Sequence, residues 1–251
     1  MPDSSASSGP FEAMALPFPL GLAACPEGRL LAEVVAGLSP SGALETHCFV
    51  GAAEQRRNVW RSARVTPTAD GTQIAWRRDS ARLAVSQFRT AIVADLEGQV
   101  WRHIFSEPVA GLAYTARGDL LVLAGRTVHR CPEPEGEAIG QAEAIRSGIL
   151  ALGVDRGAAY VVEQQGEMVL VAELHGAEIG RFDGAGREIA AASLDWTPSG
   201  DCFLELRDAP VEGACRTTVL RCRAGRVFLD ESVGVGTSEP SVFWRALEGG
   251  R

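Results

Sequence analysis

The residues of this sequence with chemistry to offer are four histidines, six cysteines and an unusual set of arginines, and their spacing limits what they can do. His47, His103, His129 and His175 lie at least 26 residues apart (129 − 103 = 26) and form no local metal-ligand run. Cys25, Cys48, Cys131, Cys202, Cys215 and Cys222 include no Cys-x-x-Cys pair and no histidine at zinc-finger spacing, so a finger-type metal site is not expected. The plain reading of the cysteines is buried, reduced thiols packing as small apolar groups. No Gly-x-Ser-x-Gly elbow is present, and Gly37-Leu-Ser-Pro-Ser-Gly42 reads as a loop. The glycines from Gly176 to Gly186 lack the order of a dinucleotide fingerprint and suit turns instead.

All 24 basic residues are arginine; the sequence has no lysine. Schiff-base enzymes, phosphate-binding loops ending in Lys-Ser/Thr and kinases all need that side chain, so these classes are excluded. Asparagine occurs once, at Asn58, which weakens calcium sites built on carboxamides. The net charge of −8 argues against a general nucleic-acid binder. The Ala, Gly and Arg bias suggests a GC-rich, bacterial genome. No catalytic, cofactor or metal residue is expected from these patterns.

The elements that must position any site emerge from an internal repeat. Five segments align without gaps: LAACPEGRLLAE from Leu22, IAWRRDSARLAV from Ile74, LAYTARGDLLVL from Leu112, LALGVDRGAAYV from Leu150 and LDWTPSGDCFLE from Leu194. Each reads as strand, turn, strand. Leu22, Ile74, Leu112, Leu150 and Leu194 share the first column, and Ala24, Trp76, Tyr114, Leu152 and Trp196 the third, on one strand face. The tenth and eleventh columns are also apolar, from Leu31-Ala32 through Phe203-Leu204, which predicts strands buried on both faces. Repeat starts fall 52, 38, 38 and 44 residues apart, a spacing for four short strands per unit. Asp95-Leu-Glu-Gly98 and Asp183-Gly-Ala-Gly186 both read as later hairpin turns.

These segments, most plainly IAWRRDSARLAV and LDWTPSGDCFLE, resemble repeats of WD-repeat and TolB-type β-propellers over most of Leu22 to Glu231. The Trp-Asp dipeptide and Gly-His opener of the strict WD repeat are missing, so the likeness is to the architecture. It implies an all-β fold of about five four-stranded blades; a β-sandwich or barrel is the alternative. Residues 1–10 are expected as a disordered tail and 11–251 as one propeller domain. A sixth blade has room between Glu33 and Thr72. Ser241–Arg245 or Phe11–Leu16 could complete a blade begun at the other terminus.

If first-to-second and third-to-fourth turns share one end of each blade, Arg56, Arg57, Arg77, Arg78, Arg117, Arg156 and Arg187 rim one face. Arginine suits interfaces and carboxylate or phosphate recognition, although Asp79, Asp119 and Asp155 stand among them. Trp76, Tyr114 and Trp196 are expected to pack between blades rather than stack on a ligand. The acidic loop Glu133-Pro-Glu-Gly-Glu137 is a weaker docking element. The resulting expectation is a cytoplasmic, non-enzymatic adaptor or scaffold with a protein partner, without nucleic acid or membrane. The competing expectation is a lactonase-like or lyase-like propeller with a ligand site in its central channel.

Overall fold

The computed structural model describes residues 15–38, 44–52, 55–62, 72–134, 140–176, 178–184, 186–196, 201–209, 216–223 and 226–233. None of these is helical. They form five antiparallel sheets of four strands, each sheet built from consecutive strands. The first holds β1 (Ala15–Ala24), β2 (Leu31–Leu38), β3 (Leu44–Ala52) and β4 (Gln55–Ser62). The second holds β5 (Ile74–Trp76), β6 (Arg82–Gln87), β7 (Thr90–Asp95) and β8 (Val100–Ile104). The third holds β9 (Val109–Tyr114), β10 (Leu120–Ala124), β11 (Thr127–Cys131) and β12 (Glu143–Ser147). The fourth holds β13 (Ile149–Asp155), β14 (Ala158–Gln165), β15 (Met168–Glu173) and β16 (Glu178–Asp183). The last holds β17 (Ile189–Trp196), β18 (Cys202–Asp208), β19 (Thr217–Arg223) and β20 (Arg226–Val233).

Every repeat segment forms the first hairpin of a sheet, as the alignment predicts. The span from Glu33 to Thr72 carries β2, β3 and β4 of the first sheet, so no sixth sheet occupies it among the described residues. No strand is exchanged between the described sheets; Ser241–Arg245 and the tail 1–10 lie outside the described residues.

The chain groups into two compact units, one of residues 1–125 and 130–143, the other of residues 126–129 and 144–251. In the first unit, β6 shows why two adjacent apolar columns are needed. Leu83 and Val85 enter a cluster with Val34, Cys48, Val50 and Trp60, while Ala84 between them enters another with Tyr114, Leu120 and Val122. Strand side chains alternate, so the second sheet is covered on one face by the first sheet and on the other by the third. Each large side chain buried this way contributes about 1.5–3 kcal/mol. In the second unit, Leu150, Val162, Val169 and Val171 pack against Leu194, Leu204, Leu206 and Leu220 of the last sheet.

The third-column aromatics are packing residues. Trp76 is buried, its indole N–H donating to Ala23 O at 3.1 Å, and Tyr114 is buried beside Leu120. Trp196 lies 4.9 Å from the Tyr160 ring, in a tilted pair.

The β13–β14 turn is a two-residue hairpin in which Arg156 (φ 48°) and Gly157 (φ 86°) are both left-handed, the signature of a type I′ turn. Arginine fits its place poorly, because Cβ crowds the following carbonyl in this conformation, whereas asparagine tolerates it. Arg156→Asn should therefore stabilise the protein by about 0.5–1 kcal/mol. A urea midpoint shifted upward at unchanged slope is the measurement that checks it.

Candidate functional site

In the first unit the first turns of the three sheets lie side by side. The Trp76–Ala23 hydrogen bond joins the inner strands of the first two sheets, and Gly118 of the third lies against the Arg77 side chain. A Cβ at Gly118 (φ 91°) would stand 3.5 Å from Arg77 Nε, so the turn needs its glycine for conformation first.

At this end, Arg77 closes β5 and Arg82 opens β6, and the backbone bond from Arg77 N to Arg82 O (2.9 Å) sets them across one hairpin. Both guanidiniums converge on Glu133, which follows β11. Arg77 Nη1 donates to Glu133 Oε2 at 2.8 Å, and Arg82 Nη1 donates to the same oxygen. Arg77 Nε also pairs with Asp79 Oδ2 at 3.2 Å, while Asp79 Oδ1 accepts the Ala81 N–H. Arg82 lies over the Trp101 ring at 5.3 Å, a cation–π contact. The Tyr114 hydroxyl is buried, with no hydrogen-bond partner among the described residues. Burial, and then the Glu133 charge, push its ionisation well above the ordinary tyrosine range, with Arg77 and Arg82 opposing.

The seven expected arginines part company here. Arg78 and Arg117 sit on adjacent turns, exposed, with no ion-pair partner among the described residues. Arg77 is committed to Asp79 and Glu133. Arg57 is exposed near the start of β4, where Arg56 also lies. Arg156 is exposed on the first turn of the fourth sheet, in the other unit.

Arg187 requires a correction. Asp183-Gly-Ala-Gly186 is not a hairpin within a sheet but the passage from β16 to β17. The Arg187 backbone accepts from Gln164 near the β14–β15 turn, at the opposite end of the fourth sheet from Arg156. Its side chain is spent internally, on Gly184 O (2.9 Å), Asp208 Oδ2 (3.3 Å), Thr218 Oγ1 (3.1 Å) and the Phe182 face. A Gly-rich turn marks a chain reversal without saying whether the next strand belongs to the same sheet.

Sequence reasoning passed over Arg82, Tyr114 and Trp101 as site residues and did not join Glu133 to them. The Arg77–Arg82 pairing was accessible from the repeat, since the two flank one hairpin. Glu133 comes from another sheet, and nothing local announces it.

A second polar array lies on the first sheet. Arg61 Nη2 donates to Glu45 Oε1 at 2.6 Å, and His47 Nε2 meets Glu45 Oε2 at 3.3 Å. The sole asparagine, Asn58, donates to His47 Nδ1 at 2.7 Å and accepts the Trp60 N–H at 3.1 Å, where the β3–β4 register shifts. Bonding to Arg61, then to His47, holds the Glu45 carboxyl below the usual carboxylate range. Both ring nitrogens of His47 are thereby engaged, and the imidazole stacks on Phe49 at 5.9 Å.

Cys25, Cys48 and Cys131 are buried free thiols, Cys202 is buried as well, and burial pushes Cys48 and Cys131 up to about 12. Among the described residues no three His, Cys, Asp or Glu side chains gather closely enough to hold a metal ion.

Five four-stranded antiparallel meanders, with no helix among the described residues, are the blades of a β-propeller, and that is the fold of this chain. No protein-family model and no curated protein matches it. Among solved structures, a chain in the crystal structure of a mitotic checkpoint complex superposes with a TM-score of 0.53 at 13% identity, over 92% of this chain and 72% of that one. The WD40 domain of SCAP from fission yeast gives a TM-score of 0.44 at 10% identity, over 90% and 75%. A glucose dehydrogenase gives 0.48 at 14%, over 82% of each chain. The first of these supports the architecture, and at such identities the likeness concerns the fold alone.

Proposed function

We propose that the chain is a non-enzymatic interaction module, an adaptor or scaffold subunit, that docks a protein partner through the arginine-bearing turns of its first unit. The observation that carries this reading is the pair Arg78 and Arg117, exposed on neighbouring turns and without ion-pair partners among the described residues. Unpaired arginines can give up water to a carboxylate at low cost and with fork geometry, which is why they concentrate in interfaces. Arg57 extends the same end of the first sheet. The solved chain it resembles in fold belongs, by description, to a mitotic checkpoint complex. In this reading the protein works in the cytoplasm, and the free thiols of Cys25, Cys48 and Cys131 agree with a reducing compartment.

Affinity capture from the native host with wild type and Arg78→Glu/Arg117→Glu tests it. These two positions make no ion pair among the described residues, so the variant should melt like wild type. Loss of the captured partners is expected. Identical partners in both samples would remove this face from consideration.

A further inference from the structure

We propose that Arg77 and Arg82 form a carboxylate-binding clamp that Glu133 fills from within, and that an acidic segment of a protein partner displaces Glu133 to dock. This rests on the interaction-module reading and names the chemistry of its partner.

The clamp is built rather than incidental. Two guanidiniums from one hairpin point at a single oxygen, Glu133 Oε2. Each guanidinium offers five N–H donors, so one oxygen leaves most of them unused even after Asp79 is counted. Trp101 backs Arg82 and holds its plane. The Tyr114 hydroxyl, in a residue only 6% exposed, feels the charges of Glu133, Arg77 and Arg82 and has no hydrogen-bond partner among the described residues. A buried donor left over in the field of this cluster marks a place where a further acceptor belongs.

Glu133 is suited to leaving. It stands between Pro132 and Pro134 and belongs to no strand, so its withdrawal takes no residue out of a strand. The Arg77, Arg82 and Glu133 side chains are 30%, 24% and 32% exposed, so solvent and a partner can reach them. Arg78 and Arg117 on the flanking turns would meet further acidic residues of the same segment.

The present occupant, Glu133, is itself a carboxylate, which favours an acidic polypeptide over nucleic acid.

An internal occupant taxes the external one, because apparent affinity is the intrinsic affinity scaled by the fraction of clamps left open. If Glu133 fills the clamp about nine-tenths of the time, removing it gains about tenfold. The experiment uses the full chain and a fluorescein-labelled ten-glutamate peptide, read by anisotropy at low salt. Glu133→Gln should bind about tenfold more tightly than wild type, and Glu133→Asp, one methylene shorter, should gain less. Adding Arg77→Gln/Arg82→Gln to Glu133→Gln should abolish the gain. Should that variant not fold, Arg77→Lys/Arg82→Lys in the same background keeps charge, loses the fork and should at least halve the gain. Wild-type affinity in both Glu133 variants overturns the proposal. So does a gain that survives loss of the two arginines, or an equal gain for a ten-nucleotide single strand. If Glu133→Gln gains nothing while Arg78→Glu/Arg117→Glu still loses its captured partners, the docking face stands and the internal occupant falls. The opposite pattern removes the face and keeps the clamp.

Discussion

Arg187→Ala is expected to cost about 3 kcal/mol, among the largest losses for any surface-type residue of this chain. The guanidinium ties the β16–β17 passage to the last sheet, reaching Gly184 O, Asp208 on β18 and Thr218 on β19. The side chains of Arg187 and Asp208 are only 17% and 15% exposed. Truncation therefore strands a largely desolvated carboxylate and also removes packing against Phe182. Asp208→Asn in the Arg187→Ala background should recover part of the loss, because the stranded group is then neutral. Arg78→Ala, at an exposed position with no ion pair among the described residues, should stay within about 0.5 kcal/mol of wild type. Urea unfolding of all four proteins checks the set. A loss below about 1 kcal/mol for Arg187→Ala would mean that the internal bonds contribute no more than a solvent-exposed pair.

The second large effect contrasts two leucines of the same repeat column. Leu194→Ala should cost about 3 kcal/mol, since Leu194 is 6% exposed within the cluster that joins the last two sheets. Leu22→Ala, at 63% exposure, should change stability by no more than about 0.5 kcal/mol. The measurement is again the urea midpoint. Equal losses at both positions would contradict the burial that separates them.

Those leucines show where the repeat was informative and where it was not. Strand, turn and strand lie within twelve contiguous residues, so their apolar columns and turn residues specify each first hairpin locally. All five formed: Trp76↔Leu83, Tyr114↔Leu120, Asp155↔Ala158 and Trp196↔Cys202 pair across their turns, as Ala24↔Leu31 does. The double apolar columns likewise foretold that β6 would be covered on both faces. Yet a column says only that a residue is apolar, not that a neighbour will arrive to cover it, and Leu22 stayed exposed.

The candidate site was legible to a smaller degree. Arg78 and Arg117 were placed on the right turns by the repeat, because turn position is a local property. Arg187 was assigned to the wrong end of its sheet, since a turn motif does not record which sheet receives the next strand. The joining of Arg77 and Arg82 to Glu133 lay beyond the repeat altogether.

By itself, then, the chain's order of apolar, turn and charged residues determined an all-β architecture of five repeated sheets and excluded lysine-dependent chemistry. Only the tertiary structure decided which arginines are free and which are spent. An arginine's role depends on a carboxylate 56 residues away in Arg77 and 21 away in Arg187, and such distances are closed by sheet packing rather than by local spacing.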